Sequence, residues 1–316
     1  MSFKVLITDG LEKEGKTILN ARGEVADKKG IEPAELLEVI GEYDALIVRG
    51  RTKVTKEVFD AAKNLKVVGR AGVGVDNIDL EAARAHGVTV VNAPTSTTIA
   101  VAELAFGLIL SLVREIPRAD AAMKQEQYPK KDFMGSEVNG KTLGIVGYGN
   151  IGRKLSIYAQ ALGMKVFCYD IFFDLSGDLS KVRATGAEPM TLEAVYAQSD
   201  IISFHLPLNA QSKHMLNESA FAKMKDGVLI VDAARGGVID EPALLSALES
   251  GKVSGAALDV LEKEPPLDWT LVKHPKVIAT PHIGAQTNEA QVRVAIDIAE
   301  EVMNILEGNS PRWKIV

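Results

Sequence analysis

The chain has 316 residues, 47% of them hydrophobic and 25% charged, with a net charge of −6. That balance suits a globular protein with large cores and lacks the basic footprint of nucleic-acid binding. At roughly 150 residues per domain, the length predicts two domains.

The first elements are Phe3–Thr8, a strand, and Leu11–Asn20, a helix pattern. Ala34–Ile40 is a second helix pattern, and Ala45–Val48 a buried strand ending at Arg49. Thr55–Ala62 is a short helix, and Leu65–Gly69 a strand running into the loop Arg70–Asn77. Leu80–Ala85 reads as helix and Val88–Val91 as a fourth strand. Continuously apolar strands alternating with helices predict a parallel sheet covered on both faces. Asn92-Ala93-Pro94 reads as a boundary. The following helix pattern, Thr97–Leu112, is apolar nearly all round, so it needs burial between domains or against a second subunit. Glu115–Gly140, with Pro117 and Pro129, reads as polar and irregular surface.

The greasiest stretch, Ile99–Val113, contains Glu103 and is shorter than a membrane span. The N-terminal apolar run is too short for a signal peptide. A cytoplasmic protein without membrane contact is expected. The one cysteine, Cys168, lies in a predicted strand and reads as a core residue. No Cys/His spacing suits a metal.

Gly144-Ile145-Val146-Gly147-Tyr148-Gly149-Asn150-Ile151-Gly152-Arg153 is a buried strand, a glycine turn and a helix start. Gly147 permits the tight turn, Gly149 lets backbone approach a pyrophosphate, and Gly152 lets helix and strand pack closely. The helix N–H groups and dipole then meet the phosphates. The next strand, Lys165–Tyr169, ends in Asp170, 18 residues beyond Gly152. An acid there accepts bonds from an adenosine ribose and repels a 2′-phosphate, so the cofactor expected is NAD and not NADP.

Three later strands end in polar residues. Val228–Val231 leads through Asp232 to Arg235; Ala256–Leu258 ends in Asp259 and leads to Glu264; Val277–Ala279 leads through Thr280-Pro281 to His282. Ligands of open parallel sheets sit beyond the carboxyl ends of strands. Any one of Arg235, Glu264 and His282 is more often an ordinary surface group, but together beside a glycine fingerprint they fit one reaction. His282 can take the proton of a 2-hydroxyl while a cofactor takes the hydride. Glu264 can orient the imidazole and stabilise its charge. Arg235 offers a planar fork for a substrate carboxylate. Asp259 is a second carboxylate near that network. His205, beside Leu206-Pro207 at another strand end, reads as lining the adenine side.

The sequence resembles the D-isomer-specific 2-hydroxyacid dehydrogenases along nearly its whole length. The residues that carry it are Val67–Asn77, Phe133–Glu137, Asn139–Ile145, Ala234–Glu241 and Gly255–Val260. The resemblance places the family's catalytic Arg, Glu and His on Arg235, Glu264 and His282. Its cofactor contacts fall on Val73, Thr98, Asn150, Ile151, Asp170, Leu206, Ala233, Ala234, Asp259 and Gly284; to these the motifs add Gly147, Gly149, Gly152, His205, Pro207, Arg235, His282 and Ala285. Its substrate contacts fall on Arg49 and the Val73–Gly74 backbone, with Arg235 and His282, and basic side chains near Lys130 and Lys131 would come from a neighbouring subunit. The fold implied is two doubly wound α/β domains: a Rossmann cofactor domain, 94–286, inserted in a flavodoxin-like substrate domain, 1–93 and 287–316, hinged near Pro94 and Gly284. A homodimer is implied. The leading expectation is NAD-dependent oxidation of D-3-phosphoglycerate at its 2-hydroxyl. The alternatives are reduction of glyoxylate, hydroxypyruvate or another 2-keto acid, and an NADH-sensing corepressor. Some relatives carry C-terminal serine-binding domains; with the chain ending at Val316, feedback through one is not expected.

Overall fold

The structure is a computed structural model that describes residues 2–177 and 179–316. The chain divides into two compact units, Met1–Thr97 with Ala285–Val316, and Thr98–Gly284.

The first unit opens with β1 (Phe3–Ile7), α1 (Lys13–Asn20), β2 (Gly23–Asp27) and α2 (Pro33–Val39). It continues with β3 (Ala45–Val48), α3 (Lys56–Ala61), β4 (Val67–Arg70), α4 (Leu80–Ala85) and β5 (Thr89–Asn92). All strands run parallel in the order β2-β1-β3-β4-β5. This is the doubly wound order of flavodoxin-like sheets. Strand alternation divides the apolar residues between two cores: Leu6, Leu46, Val48 and Val68 face one side, and Val5, Ile7, Ala45, Ile47 and Val67 the other. Two covered faces explain why Ala45–Val48 is apolar without interruption. Sequence patterning missed β2 for the converse reason. It is the edge strand, paired on one side only and nowhere fully buried, so Gly23-Glu24-Val25-Ala26-Asp27 shows no apolar run.

The second unit begins with α5 (Thr98–Val113) and α6 (Ile116–Lys124). Then come β6 (Thr142–Val146), α7 (Asn150–Ala161), β7 (Lys165–Tyr169), α8 (Ile171–Ser176), α9 (Ser180–Arg183), β8 (Glu188–Pro189), α10 (Leu192–Gln198), β9 (Ile201–Phe204) and α11 (Glu218–Ala222). The series closes with β10 (Val228–Asp232), α12 (Glu241–Glu249), β11 (Val253–Leu258) and β12 (Val277–Ala279). The sheet is again wholly parallel, ordered β12-β11-β10-β9-β6-β7-β8. The order reverses between β6 and β9, the switch point at which such sheets bind ligands.

Two elements differ from expectation. Ile116–Lys124 is a helix, not irregular chain. Pro117 lies in its first turn, where the missing N–H costs nothing, so proline there marks a start and not a break. Nor is α5 buried all round. Ala102, Ala105 and Ile109 are sealed, but Ile99 is 42% exposed and Leu104, Phe106 and Leu110 only half-buried. The chain returns to the first unit as α13 (Asn288–Leu306), capped by Thr287, whose Oγ1 accepts the Ala290 N–H at 3.1 Å. Fully buried Glu301 on α13 accepts the N–H and Nε–H of Arg312, each at 2.7 Å. This holds the tail where Lys314 bridges antiparallel to Val91.

Candidate active site

The glycine turn follows directly from β6. Gly147 has φ +93°, and a Cβ on it would stand 2.4 Å from the His205 carbonyl oxygen. A Cβ on Gly152 would stand 2.4 Å from the Gly147 carbonyl oxygen, so α7 sits directly on the turn. Gly149, the N-cap of α7, has nothing within 4 Å of that position and supplies no side-chain cap. The first N–H groups of α7 thus have no side-chain cap, as a pyrophosphate cradle requires.

Asp170 ends β7 and ties this turn down. Its Oδ2 accepts the Tyr148 N–H at 2.7 Å, and its Oδ1 accepts the Phe172 N–H at 3.0 Å, capping α8. Each oxygen keeps a second lone pair for a ribose hydroxyl. Tyr148 itself is buried, its hydroxyl 2.6 Å from Thr185 Oγ1. The carbonyl of His205 lies under Gly147, whereas its ring turns inward, with Nε2 3.0 Å from Ser203 Oγ and Nδ1 buried without a partner. Burial holds the imidazole neutral, its pKa lowered to about 4. Thr98 Oγ1 is likewise buried and unpartnered. Leu206 is half-buried against the core, and Pro207 is exposed, its carbonyl accepting the Ser212 hydroxyl at 2.6 Å.

The three polar strand ends form one network. Asp259, only 1% exposed, accepts the Thr280 hydroxyl at 2.6 Å and the Ile283 and Gly284 N–H groups at 2.8 Å each. The Asp259 carbonyl accepts the His282 N–H at 2.9 Å. One buried carboxylate thus shapes the loop that presents His282, which is held at φ +54°. The His282 Nδ1–H donates to Glu264 Oε2 at 2.7 Å, and Glu264 Oε1 accepts the Leu261 N–H at 3.1 Å. A carboxylate can only accept, so Nδ1 carries the proton and Nε2 is left for other chemistry.

The bond to Glu264 raises the His282 pKa above the ordinary imidazole range, against the opposing effects of burial and the Arg235 charge. For Glu264, burial pushes upward, but the His282 bond and charge, the Leu261 N–H and Arg235 leave the carboxyl below its usual range. Arg235 donates Nη1–H to the Ala234 carbonyl at 2.6 Å. Its turn is welded to the Glu264 loop through Gly236, where a Cβ would stand 1.8 Å from the Leu261 carbonyl oxygen.

Sequence reasoning missed the group behind this turn. Asp232, 2% exposed, accepts the Ala234 N–H at 2.8 Å. Burial, reinforced by Asp259, pushes its pKa up to about 7, against the Ala234 and Arg235 N–H groups and the Arg235 charge. The signal was present: Val228–Val231 and Ala256–Leu258 are both apolar strands followed by Asp.

The remaining expected residues are placed as follows. Ala233 and Ala234 are each 8% exposed at the end of β10. Asn150 is exposed, its Oδ1 accepting from Arg153 Nη2 at 2.6 Å, and Ile151, in the first turn of α7, packs on the core. Gly284 closes the second unit, with Asp259 Oδ2 3.0 Å from where its Cβ would stand. Ala285 falls in the first unit, its carbonyl accepting from Gln291 Nε2 at 2.7 Å.

Arg49, Val73 and Gly74 also belong to the first unit. Asp9 Oδ2 accepts the Arg49 N–H at 2.7 Å and the Thr52 N–H at 3.1 Å; its Oδ1 accepts the Thr52 hydroxyl at 2.6 Å. Arg49 Nη2 lies 3.5 Å from Glu12, and the Val73 carbonyl accepts from Asn92 Nδ2 at 2.7 Å. Among the described residues no cluster of His, Cys, Asp and Glu could hold a metal, and no helix is long and apolar enough to cross a membrane.

A parallel sheet with a glycine turn at its switch point, an acid at the neighbouring strand end and a Glu–His pair beyond its carboxyl edge places the fold in the class of doubly wound dinucleotide-binding proteins. The chain belongs to the D-isomer specific 2-hydroxyacid dehydrogenase family, whose NAD binding domain matches residues 106–284. It is 46% identical over 307 residues to a D-3-phosphoglycerate dehydrogenase of Bacillus subtilis, covering 97% of this chain and 57% of that protein. It is 45% identical to the protein of the same name from Archaeoglobus fulgidus, covering 97% and 58%. The chain thus spans little more than half the length of these curated relatives. A glyoxylate reductase structure from Paecilomyes thermophila superposes with a TM-score of 0.90 at 31% identity, covering 99% of this chain and 98% of that one. A D-lactate dehydrogenase from Aquifex aeolicus, complexed with NAD and lactic acid, gives 0.84 at 28% identity, covering 96% of each.

Proposed function

We propose that this protein oxidises D-3-phosphoglycerate at its 2-hydroxyl, using NAD. The observation that carries a proton-coupled oxidation is the 2.7 Å bond from His282 Nδ1 to Glu264, which leaves Nε2 as the base. The phosphorylated substrate is supported by the 45–46% identity to D-3-phosphoglycerate dehydrogenases from a bacterium and an archaeon. Bound NAD supplies the hydride acceptor. The chain's residues do the rest. His282 Nε2 takes the hydroxyl proton, and Glu264 stabilises the imidazolium that results. Arg235 holds the substrate carboxylate and polarises the forming carbonyl. Asp170 selects a cofactor without a 2′-phosphate, and the first turn of α7 receives the pyrophosphate.

We assign the substrate-binding role to the first unit, with Arg49 and the Val73–Gly74 backbone as contacts. A homodimer is supported by the partly uncovered apolar face of α5 and by the exposed Ile116, Met123, Tyr128 and Met134 on the following segment. A cytoplasmic setting suits such an enzyme, whose one cysteine is buried and free. A second reading, reduction of glyoxylate or hydroxypyruvate, is favoured by the near end-to-end match to a glyoxylate reductase structure. Rates of NADH oxidation across a panel of 2-keto acids separate them. The highest kcat/KM is expected for 3-phosphohydroxypyruvate; a higher value for glyoxylate or hydroxypyruvate would transfer the assignment.

A further inference from the structure

We propose that Glu241 is a positioning residue for the Glu264–His282 pair, acting by fixing the backbone of the loop that presents Glu264. The inference rests on the reading of that pair as the proton-transfer group.

Two consecutive backbone N–H groups in that loop end on carboxylates. Leu261 N–H donates to Glu264 itself at 3.1 Å, and Glu262 N–H donates to Glu241 Oε1 at 2.7 Å. The first bond sets the Glu264 side chain against its own backbone; the second sets that backbone against α12. The helix makes a stiff reference. Asp240 caps it, its Oδ1 accepting the Ala243 N–H at 3.1 Å, and Pro242 restricts its first turn. Glu241 is the first helical residue, where the helix dipole favours its negative charge. A bond from an amide to an ionised carboxylate is among the stronger kinds.

On its inner side the loop meets Gly236, which leaves no room for movement toward the Arg235 turn. On its outer side Glu262 Oε1 lies 3.2 Å from His214 Nε2. Glu264 and His282 are both substantially exposed, with side-chain accessibilities of 39% and 49%, so packing alone does not fix their geometry. Hydrogen bonds to the loop must do so, and Glu241 anchors its backbone from outside. The charged groups facing His282 are Glu264, Asp259 and Arg235. A loosened loop changes the first of these and leaves the other two in place.

The test is the titration of the His282 imidazole by NMR in the ligand-free full chain, assigned with His282→Asn, alongside the pH profile of oxidation. Glu241→Ala is expected to move the His282 titration to lower pH and to lower kcat by up to about 10²-fold, the scale of a catalytic group misplaced by about 1 Å. Glu241→Gln keeps an acceptor oxygen and is expected to restore both. Glu241→Asp folds with the charge retained but falls short of the Glu262 N–H, and is expected to behave like Glu241→Ala. An unmoved His282 titration in Glu241→Ala and Glu241→Asp, or failure of Glu241→Gln to restore it, would overturn the inference. The NMR result stands even where no 2-hydroxy acid is turned over, so it separates this inference from the assigned reaction.

Discussion

Each unit anchors a loop with a buried carboxylate, and the two anchors are built alike. Asp9 after β1 takes two backbone N–H groups and the Thr52 hydroxyl. Asp259 after β11 takes two backbone N–H groups and the Thr280 hydroxyl. What the loops carry differs. The Asp9 loop carries Arg49 and Arg51, whose planar guanidinium forks suit a carboxylate or phosphate. The Asp259 loop carries His282, whose charge changes near neutrality and is tuned by Glu264. On the assignment proposed above, the same anchoring device would serve anion holding in one unit and proton transfer in the other. Loop content, not sheet architecture, separates the two roles.

The comparison can be broken at its centre. His282→Ala should lower kcat by roughly 10²–10⁴-fold, the usual contribution of a general base, while NADH binding followed by fluorescence is retained. Turnover near the wild-type level would remove His282 from proton transfer. The anchors come next. Asp259→Ala strands the buried Gly284 N–H, costing about 1–3 kcal/mol, and frees the part-buried Ile283 N–H, so thermal stability and kcat should fall together. Asp9→Ala should instead raise the KM for the 2-hydroxy acid with kcat little changed. Equal losses of kcat in the two variants would erase the distinction.

Cofactor choice is expected to respond less. Asp170→Ala should raise the KM for NAD on the order of tenfold and narrow the preference over NADP, because it removes both the acceptor and the repelling charge. An unchanged preference would place that selection elsewhere. The smallest effect concerns stability. Asp232 has its pKa raised to about 7 in the folded chain, so its ionisation opposes folding. Stability is fully present below the unfolded carboxyl pKa and declines as pH rises from there toward 7. Asp232→Asn keeps an acceptor for the Ala234 N–H, so it should raise the melting temperature at pH 8 and leave it nearly unchanged at pH 4. The opposite pH dependence would show that Asp232 is ionised and stabilising.

Much of this was legible in the sequence because buried parallel strands write themselves as apolar runs. Ala45–Val48 and Thr142–Val146 are sealed on both faces, and the polar residues that end such strands stand out. Arg235, Glu264 and His282 were found that way. The edge strands β2 and β8 were not, since pairing on one side and partial exposure leave no such run. The helix α6 stayed hidden because none of its residues is buried, so its sequence reads as polar surface. The anchors were hidden for a further reason. Asp9, Asp232 and Glu241 act on backbone N–H groups distant in sequence or in the next turn, and no side-chain pattern marks which amides need an acceptor.

The division between the two anchored loops is tested most directly by the pH profile of kcat for 2-hydroxy acid oxidation in wild type, Glu264→Gln and Asp9→Ala. Oxidation needs neutral His282. Since Glu264 raises the His282 pKa, kcat in the wild type should climb through a pKa above the ordinary value of about 6.5. In Glu264→Gln the climb should shift to lower pH, and in Asp9→Ala it should stay where it is. A limb unmoved in Glu264→Gln, or displaced in Asp9→Ala, would contradict the account.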